Sequence, residues 1–175
     1  SEKPNAAKRI AEALADKKPK KQAIGKVPYY ELQRGKKEIV VACAVGHLYT
    51  VAEKKKSFTY PSFDLHWAPS GDVSKKADYS KKYLEVIKRL AKKASAFTVA
   101  CDYDVEGEVI GLNCVRLACN QKDARRMKFS TLTKEDLIEA YEQAEPHLDW
   151  GLGNAGETRH FLDWMYGINI SRALT

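Results

Sequence analysis

The sequence predicts an α/β fold, with a largely parallel central sheet flanked by helices and a helical segment at the carboxy-terminal end. Three observations predict it. Helix-like and strand-like patterns alternate through most of the 175 residues, as strand–helix–strand crossovers require. The runs Ile39 to Val45 and Phe97 to Cys101 are almost wholly apolar rather than alternating, which suits strands buried on both faces. Two of the helical patterns carry a single apolar stripe, so each needs a surface to cover.

Residues 4–15 read as the first helix. Pro4 suits its first position, and Ala7, Ile10, Ala11 and Leu14 share one face. The Lys/Pro cluster at residues 17–21 ends it, and residues 22–33 and 37–45 read as strands separated by a turn at Gly35. Residues 46–77 show no firm period and read as an irregular excursion. Residues 78–94 form an amphipathic helix with Tyr83, Val86, Ile87 and Leu90 on one stripe. A short strand at 97–101, a helix at about 105–118 and a weaker strand at 126–129 follow. Thr133 opens the next helix with Asp136 in capping-box position, and Pro146 lies beyond its end. The pattern from Ala155 to Leu174 is helical and stops abruptly, as at a cut.

Composition narrows the function classes. No apolar stretch reaches the roughly 18 residues of a membrane span, and the opening Ser-Glu-Lys-Pro lacks a secretory signal's apolar run. A cytosolic protein is expected. Four cysteines (Cys43, Cys101, Cys114, Cys119) are too sparse for a disulfide scaffold and lack zinc-ligand spacing, so they read as buried thiols. Charge is uneven: residues 1–100 carry 22 basic and 10 acidic side chains, residues 101–175 carry 8 and 13. The basic half, with Lys17, Lys18, Lys20, Lys21, Lys36, Lys37 and Lys54 to Lys56, suits a polyanion such as nucleic acid. Tyr49, Tyr60, Phe63 and Trp67 lie near that last run and could stack bases, although packing is the simpler use for them.

The sharpest local feature is Cys101-Asp102-Tyr103-Asp104-Val105-Glu106-Gly107-Glu108, four carboxylates where an apolar strand turns into a helix. Asp102 and Asp104 are two apart in extended chain and can face the same way. Glu106 follows in the first helical turn. No Lys or Arg lies between Lys93 and Arg116, so the local sequence has no counter-charge. Crowded carboxylates repel one another unless a cation neutralises them. Carboxylate oxygens with no His in the run suit a hard ion, and Mg²⁺ binds through one or two carboxylates plus water and phosphate. Gly107 would let a phosphate or backbone approach closely. The plain alternative is a solvated acidic helix N-terminus.

Asp102-x-Asp104-x-Glu106-Gly107-Glu108 after an apolar strand resembles the acidic motif of the TOPRIM domain, a Rossmann-like fold, and Glu2-Lys3-Pro4 resembles its other hallmark, a Glu after the first strand. Ala44-Val45-Gly46-His47-Leu48, Phe129-Ser130-x-Leu132-Thr133 and the run Thr158 to Thr175 resemble segments of type IA DNA topoisomerases, nearest the topoisomerase III and archaeal branch. The resemblance divides the chain into a TOPRIM domain over 1–146 and the start of the following helical domain over 147–175.

The resemblance implies an ATP-independent isomerase that nicks one DNA strand through a tyrosine and reseals it. It makes Glu2 the general acid/base, Lys3 a phosphate-binding group, and Asp102, Asp104 and Glu106 the holders of Mg²⁺. Arg159, Asp163 and Arg172 would contact single-stranded DNA; Arg159 and Asp163, four apart on a helix, would share a face. The partners implied are DNA and the rest of the topoisomerase polypeptide, with room for a helicase, and the location a cytoplasmic nucleoid. Two departures stand out. The chain begins at Ser1 without the family's preceding apolar strand, and the family's nucleophilic tyrosine followed by Pro-Arg is missing. Tyr60-Pro61-Ser62 precedes the acidic motif and lacks the Arg. The chain alone should therefore be inactive. Two rival readings are a stand-alone TOPRIM nuclease or primase-like protein and a non-catalytic DNA-binding module.

Overall fold

In the computed structural model, which describes residues 1–55 and 59–175, the first helix forms where Pro4 sets it. Lys56, one of the lysine run, lies outside the described residues. Helix α1 (Pro4–Leu14) buries Ala7, Ile10, Ala11 and Leu14, the stripe its spacing predicts. Strands β1 (Lys20–Ile24), β2 (Val27–Arg34) and β3 (Lys37–Val41) follow as an antiparallel meander in the order β1-β2-β3. The single strand expected over 22–33 is thus two. Ile24 pairs with Val27 across a two-residue turn, in which Gly25 takes φ 61° as the first central residue of such hairpins often must. Nothing in the alternation of Ala23, Ile24 and Val27 marks that break except the glycine itself.

The excursion over 46–77 holds more order than its pattern shows. Strands β4 (Tyr49–Glu53) and β5 (Leu65–Pro69) pair antiparallel, with Val51 opposite Trp67. Each is five residues long, too short for a period to stand out, and they are joined across a long connection. A short helix α2 (Ser70–Val73) and a 3₁₀ turn (Lys75–Ala77) lead into α3 (Tyr79–Ala91), whose buried side adds Leu84 to the predicted stripe.

Strand β6 (Thr98–Val99) pairs in parallel with β7 (Arg125–Arg126). Among the described residues this is the parallel ladder; the other two sheets are antiparallel. The sheets are small, and turns at Gly25 and Gly35 reverse the chain at once, which makes the three-stranded one antiparallel, whereas a parallel return needs a crossover of a dozen or more residues. The crossover between β6 and β7 contains α4 (Val105–Asn113), which continues as a wider π-helical turn over Cys114–Ala118 rather than as the straight helix expected to 118. There Cys119 N–H bonds the Cys114 carbonyl, five residues back, at 2.9 Å. Residues 1–2 lie beside 42–46 in the same direction. Ser1 donates to Ala42 O at 2.9 Å, while Ala44 N–H and Gly46 N–H donate to Ser1 O (2.7 Å) and Glu2 O (3.2 Å).

Helix α5 (Lys134–Glu142) starts where the capping box places it, with Thr133 accepting from Asp136 N–H. Helix α6 (Trp150–Leu174) starts five residues before the expected Ala155. Glycines at 151 and 153 weaken the helical pattern, but Gly153 and Gly156 are buried against α4, where a methyl at Gly156 would run into Val109 and Val105. The tertiary contact selects the helix that local propensity disfavours.

Two apolar cores flank β6. One joins α1, β2, β3 and α5 through Ile10, Leu14, Leu32, Val41, Met127 and Leu137. The other joins α3, α4 and the π turn through Leu84, Ile110, Leu112 and Val115. Ala100 faces the first core, while Val99 and Cys101 face the second. The period-2 alternation of a strand thus places the chain between two layers and delivers Asp102 at its exit.

Candidate metal and nucleic-acid site

The acidic loop is anchored from beneath. Arg126 on β7 is fully buried and donates from Nε to Glu108 Oε2 (2.7 Å), from Nη1 to Cys101 O (2.9 Å) and Met127 O (2.8 Å), and from Nη2 to Asp102 O (2.8 Å). Glu108, also fully buried, accepts on its other oxygen from Asp149 N–H at 3.0 Å. Asp149 in turn caps α6 by accepting from Leu152 N–H. The fourth carboxylate of the motif therefore ties α4, β7 and α6 together. Gly107 is needed by the backbone: a methyl there would collide with the Asp102 carbonyl.

The other three carboxylates each have a separate partner. Asp102 accepts from Lys3 Nζ at 2.5 Å, and Glu2 lies 3.8 Å from the same ammonium. The hydrogen bond that Lys3 donates to Asp102 is the main reason its pKa is raised, followed by the charges of Glu2 and Asp102. Asp104 caps α4, its Oδ1 accepting from Gly107 N–H at 2.6 Å. Such a cap is worth about 1 kcal/mol. Glu106 meets His47 Nε2 at 2.8 Å and His160 Nε2 at 3.1 Å, both on Oε2, while Arg159 binds Oε1. Burial works to raise the Glu106 pKa, but the two imidazoles and Arg159 outweigh it and hold it below the usual carboxylate range. Burial lowers the His47 pKa despite the nearby carboxylate. We take Glu106 as ionised on the permanent charge of Arg159, with His47 neutral at neutral pH.

The expected lack of counter-charge is thus a property of the local sequence alone. Lys3, Arg126 and Arg159 arrive from distant parts of the chain, and Lys128 sits 4.4 Å over the Tyr103 ring. The expectation of no His near the carboxylates also fails. Among the described residues, the trio of His, Cys, Asp and Glu ligand atoms gathered within 4.8 Å is His47, Glu106 and His160. Asp102, Asp104 and Glu106 line one loop without forming such a trio.

Of the residues expected to touch DNA, Arg159 points to the acidic loop rather than to Asp163, which is exposed. Arg172 is bidentate on Glu53 at 2.7 and 2.8 Å and also bonds Thr59 O at 3.1 Å; it fastens the end of α6 to β4. Tyr49 is buried and Trp67 packs on α6, tilted against His160 and edge-on to Phe161, whereas Tyr60 and Phe63 are exposed. The sequence assigns no site role to Arg126 or His160, and it marks Glu108 only as one carboxylate of the acidic run. The only other signal was that His160 adjoins Arg159. His47 is aimed by two successive residues at positive φ, Val45 (55°) and Gly46 (80°). A β-branched residue held there is strained.

The chain belongs to the Toprim domain family, whose pattern it matches over residues 1–132. Its relatives sharpen that class. It is 49% identical over 177 residues to a protein named DNA topoisomerase 1 from Pyrococcus horikoshii, covering 100% of this chain and 26% of that one. The corresponding protein of Pyrococcus furiosus is 51% identical over 177 residues, with 100% and 17% covered. That of Methanocaldococcus jannaschii is 50% identical over 175 residues, with 99% and 22% covered. The chain therefore spans about a quarter or less of the length of these relatives. Among the described residues, no helix is long and apolar enough to cross a membrane.

Proposed function

We propose that this chain is the TOPRIM part of a type IA DNA topoisomerase, residues 1–146 forming that domain and 147–175 beginning the next. Its sheet would be built in parallel sense around β6 and β7. The observation that carries the reading is the convergence of two distant cations on the acidic loop: Lys3 on Asp102 and Arg159 on Glu106. A loop held by an ammonium and a guanidinium is a place where phosphate and divalent metal can exchange partners with them.

The donors suit Mg²⁺, since Asp102, Asp104 and Glu106 offer hard oxygens and the ion needs only one or two carboxylates beside phosphate. When bound, the ion would shield phosphate charge. The chain's own residues do the rest. Glu2, held beside Lys3, exchanges a proton with the oxygen at the scissile phosphate. Lys3, released from Asp102, binds a phosphate oxygen as a point charge. Arg159 and Asp163 orient the single strand along α6, and Arg172 holds that helix in place. The nucleophilic tyrosine belongs to the rest of the polypeptide, so this chain alone relaxes no plasmid. DNA at the nucleoid is the substrate, and a helicase would act on the strands around it.

Calorimetry with Mg²⁺ and a single-stranded oligonucleotide tests the reading. Metal-dependent binding should disappear in Asp102→Asn/Asp104→Asn. Binding indifferent to metal and to these substitutions would favour a plain DNA-binding module. Plasmid relaxation by the purified chain would show that its nucleophile lies within it.

A further inference from the structure

We propose that His47, Glu106 and His160 form a second metal site on the acidic loop, one that takes a borderline divalent transition ion such as Zn²⁺ or Co²⁺. Two imidazole nitrogens and one carboxylate oxygen are a donor set for such ions rather than for Mg²⁺, which demands oxygen. Both Nε2 atoms converge on the same oxygen, Glu106 Oε2, at 2.8 and 3.1 Å. A tetrahedral zinc with bonds of about 2.0–2.2 Å holds its ligand atoms about 3.3 Å apart. An opening of a few tenths of an ångström would admit the ion.

The surroundings favour that set. The His47 and His160 rings lie 5.1 Å apart, and the Trp67 ring lies 5.5 Å from His160. Arg159 engages the other Glu106 oxygen and orients the carboxylate from behind, as outer partners of metal ligands do. All three ligand residues are only partly exposed. Among the described residues no cysteine sulfur joins the gathered ligand atoms. Binding here engages Glu106 and excludes it from the oxygen set used for Mg²⁺. That competition rests on the reading above; the transition-metal site itself does not.

Co²⁺ titration of the full chain, followed by visible absorption, tests the site beside a Mg²⁺ titration by calorimetry. One Co²⁺ per chain is expected, with ligand-field bands and no thiolate charge-transfer band. His47→Gln and His160→Gln should each weaken it by at least about 10–100-fold, the cost of losing even an outer partner of a ligand, while His66→Gln leaves it unchanged. Binding untouched by both histidine substitutions, or lost on cysteine alkylation, would overturn the proposal. A measurement on the unaltered chain guards against misfolded variants: Zn²⁺ should move the imidazole NMR signals of His47 and His160. Movement of His66 or His147 instead, or of none, refutes the site. Mg²⁺ bound without Co²⁺ would sink this inference alone, and Co²⁺ without Mg²⁺ would sink the magnesium reading alone.

Discussion

Replacing Arg126 with Met removes a guanidinium that donates four hydrogen bonds from a position with no solvent exposure. Glu108 then keeps only the Asp149 N–H, and the carbonyls of Cys101, Asp102 and Met127 each lose a donor. Breaking one side of a buried ion pair costs about 3–5 kcal/mol, because the surviving charge stays buried. Against a typical total of about 5–15 kcal/mol, that leaves a marginal protein. With a urea slope of about 2–3 kcal/mol/M, the unfolding midpoint should fall by roughly 1–2.5 M. Glu108→Leu should cost a similar amount. The double variant should fall short of the sum by about 2 kcal/mol, since the uncompensated charge is gone. Additive losses, or a single-variant midpoint within about 0.5 M of the parent, would refute the claim that this pair holds the acidic loop.

Gly107→Ala should destabilise by about 3 kcal/mol or more, measured in the same urea titration, because the added methyl meets rigid backbone rather than a side chain that can swing away. Leu137→Ala on α5, a fully buried contact with the α1 core, should cost about 3–5 kcal/mol in thermal or urea unfolding. Asp123 accepts from Ala124 N–H (2.8 Å), Leu148 N–H (3.0 Å), His147 (2.8 Å) and Trp150 (3.4 Å). Burial works to raise its pKa, yet these partners outweigh it and lower it. Its stabilisation is therefore complete above the unfolded value of about 3.9 and is lost as pH falls through the folded value. Asp123→Ala should cost about 2 kcal/mol from pH 5 to 8, with the gap to the parent closing below about pH 4; a constant gap down to pH 2 would contradict this.

The carboxylate run was legible because four acidic residues at a strand exit are a local pattern, and so were α1, α3 and α5, whose apolar stripes or caps lie within a dozen residues. The β1–β2 hairpin was hidden because residues 22–33 read as one strand with a single glycine in it. Strands β4 and β5 were hidden because neither has a period without its partner. Helix α6 began earlier than its glycines suggested because α4 needs small residues there.

From the chain's order alone came the acidic loop, the helices that bury their own stripes, and a likeness strong enough to name the family. Which charges face that loop could not be read there. Lys3 is 99 residues from Asp102, and His47 and His160 are 59 and 54 residues from Glu106. Residues this distant share no periodicity, and their meeting is set by how two apolar cores clamp β6 between them. Local spacing encodes which face a side chain takes; only packed layers encode what it faces.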